Sequence, residues 1–204
     1  MKKVYRKFLA RFSYKIQKYY MAYQNENLIR AGRLLIGKGT YDSPIIDEYK
    51  GSEANVKIGN YTSIGPNVRL ITGGMHPIRS VSQYPFRSKL NLIGKYADGN
   101  PYTNGDIIIG SDVWIGTGVT ILSGVCIGNG AIVGSCALVT KDIPDYAIAM
   151  GSPAVVKKFR FTPKQIEALI RIQWWNWDEN KICEEINELT GENIEKFILK
   201  HDKL

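Results

Sequence analysis

The 204 residues suffice for one domain with a buried core plus appendages, and an apolar share of 44% is ordinary for a water-soluble globular chain. No apolar run approaches the roughly 20 residues of a membrane span. The basic start lacks the apolar core and cleavage site of a signal peptide, so the expected location is the cytoplasm.

The net charge of +8 is unevenly placed. Lys2, Lys3, Arg6, Lys7, Arg11, Lys15 and Lys18 precede residue 24 with no acid among them. A general nucleic-acid binder spreads its basic patch over the fold, so no nucleic-acid partner is expected. Between these cations Tyr5, Phe8, Leu9, Phe12, Ile16, Tyr19, Tyr20 and Tyr23 recur at helical spacing. The arm, residues 1–33, therefore reads as a basic amphipathic helix. Such a face usually packs on the body or a neighbouring subunit; resting residues 1–23 on an anionic membrane is the alternative.

From Ile109 the chain runs in sixes: IGSDVW, IGTGVT, ILSGVC, IGNGAI, VGSCAL, VTKDIP. Each block opens on an aliphatic residue, and Val, Ala or Ile stands fifth. An earlier patch, IGNYTS and IGPNVR followed by Leu70, opens on an aliphatic residue at the same spacing. This period fits neither a helix nor simple strand alternation. It describes a strand and a turn stacked on their neighbours, three blocks making one coil of a triangular solenoid over residues 34–160.

The pattern stops between Leu70 and Ile109, so that an ejected loop is expected at about 72–106. Loops of this length are uncommon and often carry function. This one contains His76, in TGGMHPIRS, the only histidine of the body. Cys126, Cys136 and Cys183 form no CxxC pair and read as reduced thiols.

Residues 161–204 read as helical. Thr162, Pro163 and Gln165 form a capping box for a helix carrying Ile166, Leu169, Ile170 and Ile172. Trp174, Trp175 and Trp177 read as a packing plug. A second helix is expected from near Asp178, with Ile182, Ile186 and Leu189 on its inner face.

Together with the hexads, VSQYPF after the histidine, DVWIG, IPDYAIAMGSPA and the WWNW tail resemble a known family. It is the xenobiotic acetyltransferase branch of the hexapeptide-repeat acyltransferases, which includes chloramphenicol and streptogramin acetyltransferases and sugar O-acetyltransferases. The likeness covers about residues 34–200. It implies a mainly β fold, a left-handed parallel β-helix, assembled as a homotrimer with active sites between subunits. It also implies acetyl coenzyme A as acyl donor and no metal.

The resemblance assigns residues as well. His76 would be the general base, since imidazole can take the acceptor's proton and return it to the leaving thiolate. The Thr117 amide would hold the oxyanion, Trp114 would lie near the pantetheine, and Ser135 would offer it a backbone group. Thr140 and Lys141 would approach the nucleotide. Lys141, Lys157 and Lys158 would supply charge for its phosphates, with plain surface solvation as the alternative. Gly151 and Pro153 belong to the GSPA turn beneath the adenine. Tyr41, Asp42 and Tyr84 are acceptor-side candidates, although Asp42 as a turn residue needs no function.

The resulting expectation is acetyl transfer to a hydroxyl or amine of a sugar or related small molecule, as in surface polysaccharide biosynthesis. An antibiotic-inactivating acetyltransferase of the chloramphenicol or streptogramin type is the alternative. A non-catalytic membrane- or nucleic-acid-binding solenoid is a third reading. A carbonic-anhydrase-like hydrolase would need three metal-binding histidines, and the body has one.

Overall fold

The structure, a computed structural model, describes residue 16 and residues 19–52 and 54–203. Short strands assemble into three sheets of four, five and four strands, the walls of a triangular column. The first wall stacks Leu34–Ile36, Val56–Ile58, Ile107–Ile109 and Cys126–Ile127. The second stacks Ser63–Ile64, Trp114–Ile115, Ile132–Val133 and Ala147–Met150, and ends on Val155–Phe159. The third stacks Ile45–Asp47, Arg69–Ile71, Thr120–Leu122 and Leu138–Val139. All pairings are parallel except the last of the second wall, where Val155–Phe159 turns back antiparallel on Ala147–Met150.

The sixfold period is the cause of this shape. Trp114 pairs with Ile132 and Thr120 with Leu138, each 18 residues on, so three hexads make one coil. Block-opening Ile115 and Ile121 and block-fifth Val119 are completely enclosed, and together such residues fill the column. Each fully buried aliphatic side chain contributes about 1.5–3 kcal/mol.

The glycine after the opening residue has a different role from the corner freedom its position suggests. A Cβ on Gly116 would stand 2.6 Å from the Ser135 nitrogen, and one on Gly110 would stand 2.7 Å from that of Asn129. These glycines let one coil sit on the next. The left-handed backbone is taken at other corner positions, among them Asp112, Cys136 and Tyr146.

At the edge between the first and second walls a ladder of side chains satisfies the stacked amides. Ser111 Oγ accepts from Asn60 N at 3.0 Å, Asn129 Oδ1 from Ser111 N at 2.9 Å, and Asp145 Oδ1 from Asn129 N at 2.6 Å. The ladder thereby pairs backbone amides that the strands leave free at this edge.

The C-terminal segment packs along the edge between the first and second walls, against Asn60, Tyr61 and Tyr146. The helix Pro163–Ile172 has the expected capping box: Gln165 Oε1 accepts from Thr162 N at 2.9 Å, and Thr162 Oγ1 accepts from Gln165 N at 3.4 Å. Trp175 is buried with Tyr146, Leu169 and Phe197, and Trp174 leans on the Tyr61 ring at 5.5 Å. The packing role expected of the tryptophans holds for all three, Trp177 lying against the Phe197 ring at 6.0 Å.

The second C-terminal helix differs from expectation. It breaks at Glu185 into Glu179–Glu184 and Ile186–Leu189, which leaves Ile186 exposed. Glu185 has left helical geometry (φ −96°, ψ 9°), and its carboxylate accepts from Lys200 Nζ at 2.6 Å. That bond ties the break to a further helix, Ile194–His201, capped by Asn193, which supplies buried Phe197.

At the other end residues 19–30 are helical. Asn25 and Leu28 are buried, and Asn25 Nδ2 donates to the Pro44 carbonyl at 3.1 Å. Ile16, Tyr19, Tyr20 and Tyr23 are exposed. Residues 1–15, 17 and 18, on which most of the amphipathic-helix reading rests, lie outside the described residues. Among the described residues no helix is long and apolar enough to cross a membrane.

Candidate active site

The break in the hexads is where the chain leaves the third wall at Ile71 and rejoins the first at Ile107. The loop's base is closed like a hairpin: Met75 N donates to the Tyr102 carbonyl at 3.1 Å and Tyr102 N to that of Met75 at 2.9 Å. The two glycines before His76 are compelled by space. A Cβ on Gly73 would stand 1.8 Å from Ser52 Oγ, and one on Gly74 would stand 2.6 Å from the Tyr49 ring, at a φ of +83°. Only glycine lets the strand exit here, and this exit sets the direction of His76.

His76 is half-buried, and its Nδ1 lies 2.7 Å from the Gln83 carbonyl oxygen. A carbonyl can only accept, so the neutral ring carries its proton on Nδ1. Nε2 is left with a lone pair, the form a general base requires. Gln83 Nε2 donates in turn to the Pro77 carbonyl at 2.9 Å. Residues 78–95 of the loop contain Arg79, Arg87, Lys89 and Lys95 and no acid. Arg87 is paired with Asp98, and Tyr84 packs edge-on against Phe86 at 4.9 Å.

The remaining candidates fall on two edges of the column. Trp114, exposed, stands on the second wall. Thr117 and Ser135 turn the chain from the second wall to the third in successive coils, where Thr117 O accepts from Cys136 N at 2.8 Å. Among the described residues no acceptor faces the amide of Thr117 or of Ser135, in contrast to the ladder on the preceding edge. Tyr41 belongs to the same side, bridged to Ser63, and Asp42 follows it at a φ of +61°.

Gly151 and Pro153 form the turn into the antiparallel strand. On that strand both lysines are exposed, and a bulge opposite Ile148 leaves Lys157 without a register partner. Bulges of this kind re-aim a side chain.

Thr140, Lys141 and the base of the loop that carries His76 and Tyr84 occupy the other edge, where the chain passes from the third wall back to the first. Within one chain the width of the third wall therefore separates His76 from Thr117. The sequence supplied each residue but not this division. It also missed Gln83, whose part is played by a backbone carbonyl that carries no residue signature.

A separate cavity of about 180 Å³ lies between the column and the C-terminal helices, lined in part by Asp112, Tyr146, Arg160 and Phe161. Burial raises the Asp112 carboxyl above the usual carboxylate range, against the attraction of Arg160 at 3.2 Å. Among the described residues no group of three or more His, Cys, Asp or Glu is placed to hold a metal ion.

Residues 106–141 match the family described as bacterial transferase hexapeptide (six repeats). That match covers 36 residues of the repeat body, and the fold is a left-handed parallel β-helix. A chloramphenicol acetyltransferase of Klebsiella aerogenes is 45% identical over 58 residues, which is 28% of this chain and 28% of that protein. A probable macrolide acetyltransferase of Lysinibacillus sphaericus is 36% identical over 66 residues, 32% of this chain and 37% of the relative. The matched stretch thus spans well under half the length of these relatives. Among solved structures, a hexapeptide-repeat-containing acetyltransferase of Vibrio cholerae O1 biovar eltor, complexed with acetyl coenzyme A, superposes with a TM-score of 0.50. The two share 23% identity, over 64% of this chain and 62% of the other.

Proposed function

We propose that the protein transfers an acetyl group from acetyl coenzyme A to a hydroxyl of a sugar or related small molecule, with His76 as general base. The observation that carries this reading is the bond from His76 Nδ1 to the Gln83 carbonyl, which leaves Nε2 bare at the mouth of the ejected loop. The names of the relatives, both acetyltransferases, agree with it.

In the reaction Nε2 takes the hydroxyl proton as the acceptor oxygen bonds to the thioester carbon. The carbonyl oxygen becomes an oxyanion, for which the unpaired Thr117 amide is a suitable donor. The intermediate then expels the thiolate, and the imidazolium returns the proton to sulfur. No nucleophilic side chain intervenes, so the two substrates meet in a ternary complex.

His76 and Thr117 stand on different edges, so a second chain must complete the site. A closed homotrimer, with the His76 edge of one protomer against the Thr117 edge of the next, meets that need. Lys141, Lys157 and Lys158 would neutralise the phosphates of the donor.

The cations Arg79, Lys89 and Lys95 of the loop that carries His76 favour an anionic acceptor, such as a sugar carried on a nucleotide or lipid diphosphate. An enzyme of surface polysaccharide assembly, working in the cytoplasm or at the inner membrane face, fits that chemistry. The second reading, acetylation of an antibiotic hydroxyl, is favoured by the relatives' names. Thiol release from acetyl coenzyme A with nucleotide sugars, lipid-linked sugars, chloramphenicol and streptogramin separates the two. His76→Ala should abolish turnover and leave coenzyme A binding nearly intact; a variant that still turns over would falsify the assignment.

A further inference from the structure

We propose that Gln83 is the positioning residue of His76, acting through two hydrogen bonds that clamp the ends of one short loop segment together. The proposal rests on the reading of His76 as the base. The backbone carbonyl of Gln83 accepts from His76 Nδ1 at 2.7 Å. Its side-chain Nε2 donates to the carbonyl of Pro77, the residue next to His76, at 2.9 Å.

The two bonds close a ring through residues 76–83, and each fixes the partner of the other. Pro77 O also accepts from Ser80 N at 3.2 Å, which folds the intervening turn. Beyond Gln83, Ser82 Oγ accepts from Tyr84 N at 3.1 Å and bends the chain so that the Gln83 carbonyl faces the imidazole.

This arrangement serves the ring more than the fold. His76 is attached at its Cβ alone, and without the Gln83 carbonyl the imidazole can rotate and exchange its tautomer. The lone pair at Nε2 would then be present in only part of the population. A backbone carbonyl in a loop is mobile unless something ties it, and the Gln83 side chain does so. The choice of glutamine follows from the donor it must offer to Pro77, which neither alanine nor glutamate at neutral pH can supply.

The test uses the full chain with ¹⁵N-labelled histidine, whose only other histidine is His201. Ring nitrogen shifts are read in the wild type, in Gln83→Ala and in the isosteric Gln83→Glu. Turnover of acetyl coenzyme A is measured with the acceptor panel given above. In the wild type His76 should hold its proton on Nδ1. In both variants the tautomers should mix, and kcat should fall roughly three- to tenfold, the net worth of one hydrogen bond, with KM for acetyl coenzyme A unchanged.

Unchanged ring shifts and kcat in both variants would overturn the proposal while leaving acetyl transfer standing. Mixing of the tautomers in a protein inert toward every acceptor would uphold the clamp and remove the enzymatic reading. A Gln83→Glu protein indistinguishable from wild type would also refute the clamp, since glutamate keeps the shape and loses the donor.

Discussion

Ser63 pairs with Trp114 in the same parallel register that Trp114 keeps with Ile132, although 51 residues separate the first pair and 18 the second. The column thus continues across the interruption as though the loop were absent. Replacing residues 76–101 by two glycines, between the already paired Met75 and Tyr102, should leave the β-helix intact. Far-UV circular dichroism should be kept and the midpoint of thermal unfolding should move by no more than about 5 °C, since little buried area is lost. Activity should vanish. A melting point lowered by tens of degrees would mean that the loop helps hold the column together.

The exit of that loop tolerates no side chain at Gly74. Alanine there must adopt a left-handed backbone against the Tyr49 ring, at a cost of about 1–2 kcal/mol. Relief comes through displacement of the neighbouring backbone, which carries His76. Gly74→Ala should therefore lower kcat more than it lowers stability, as steady-state kinetics beside a urea titration would reveal. Equal losses in both would point to a purely structural glycine.

Arg160 ties the C-terminal segment to the edge between the first and second walls. It donates to Asp112 at 3.2 Å and to the Gly130 carbonyl at 2.7 Å, and it lies over the Tyr146 and Phe161 rings. Burial raises the Asp112 carboxyl above its unfolded value, so the fold disfavours the charged form. Stability from this group is greatest at low pH and falls as pH rises through the raised value, remaining low above it. Arg160→Met removes the one attraction that opposes burial and widens that window upward. The variant should lose about 2 kcal/mol near pH 8 and distinctly less near pH 5, a difference that melts at the two pH values would measure. An equal loss at both would assign the effect to packing alone.

Trp175 seals the C-terminal helices onto the side of the column, against Tyr146, Leu169 and Phe197. Trp175→Ala should cost about 3–5 kcal/mol, the usual range for truncating a buried tryptophan. Because the plug lies away from the His76 edge, kcat at 25 °C should change little in the fraction that remains folded. Denaturant unfolding and turnover on the same preparation would test both halves of this expectation.

The amino-acid order by itself determined the column. A sixfold recurrence of enclosed residues such as Ile115 and Val119 is a local rule repeated, and only a three-walled stack buries them all. The same order exposed the place of His76, because a gap in a regular pattern is visible without coordinates. Thr162 and Gln165 likewise announced their helix, since capping acts over three residues.

What the order could not reveal depends on groups distant in the chain or without a residue signature. The tautomer of His76 is set by a peptide carbonyl, which every residue possesses. The partner of Glu185 at the helix break is Lys200, fifteen residues away, and the space denied at Gly73 is taken by Ser52 in another coil. The assignment of His76 and Thr117 to different edges arises only when the walls close. Local periodicity encodes which side chains turn inward, whereas the meeting of two particular atoms is decided by how the coils stack.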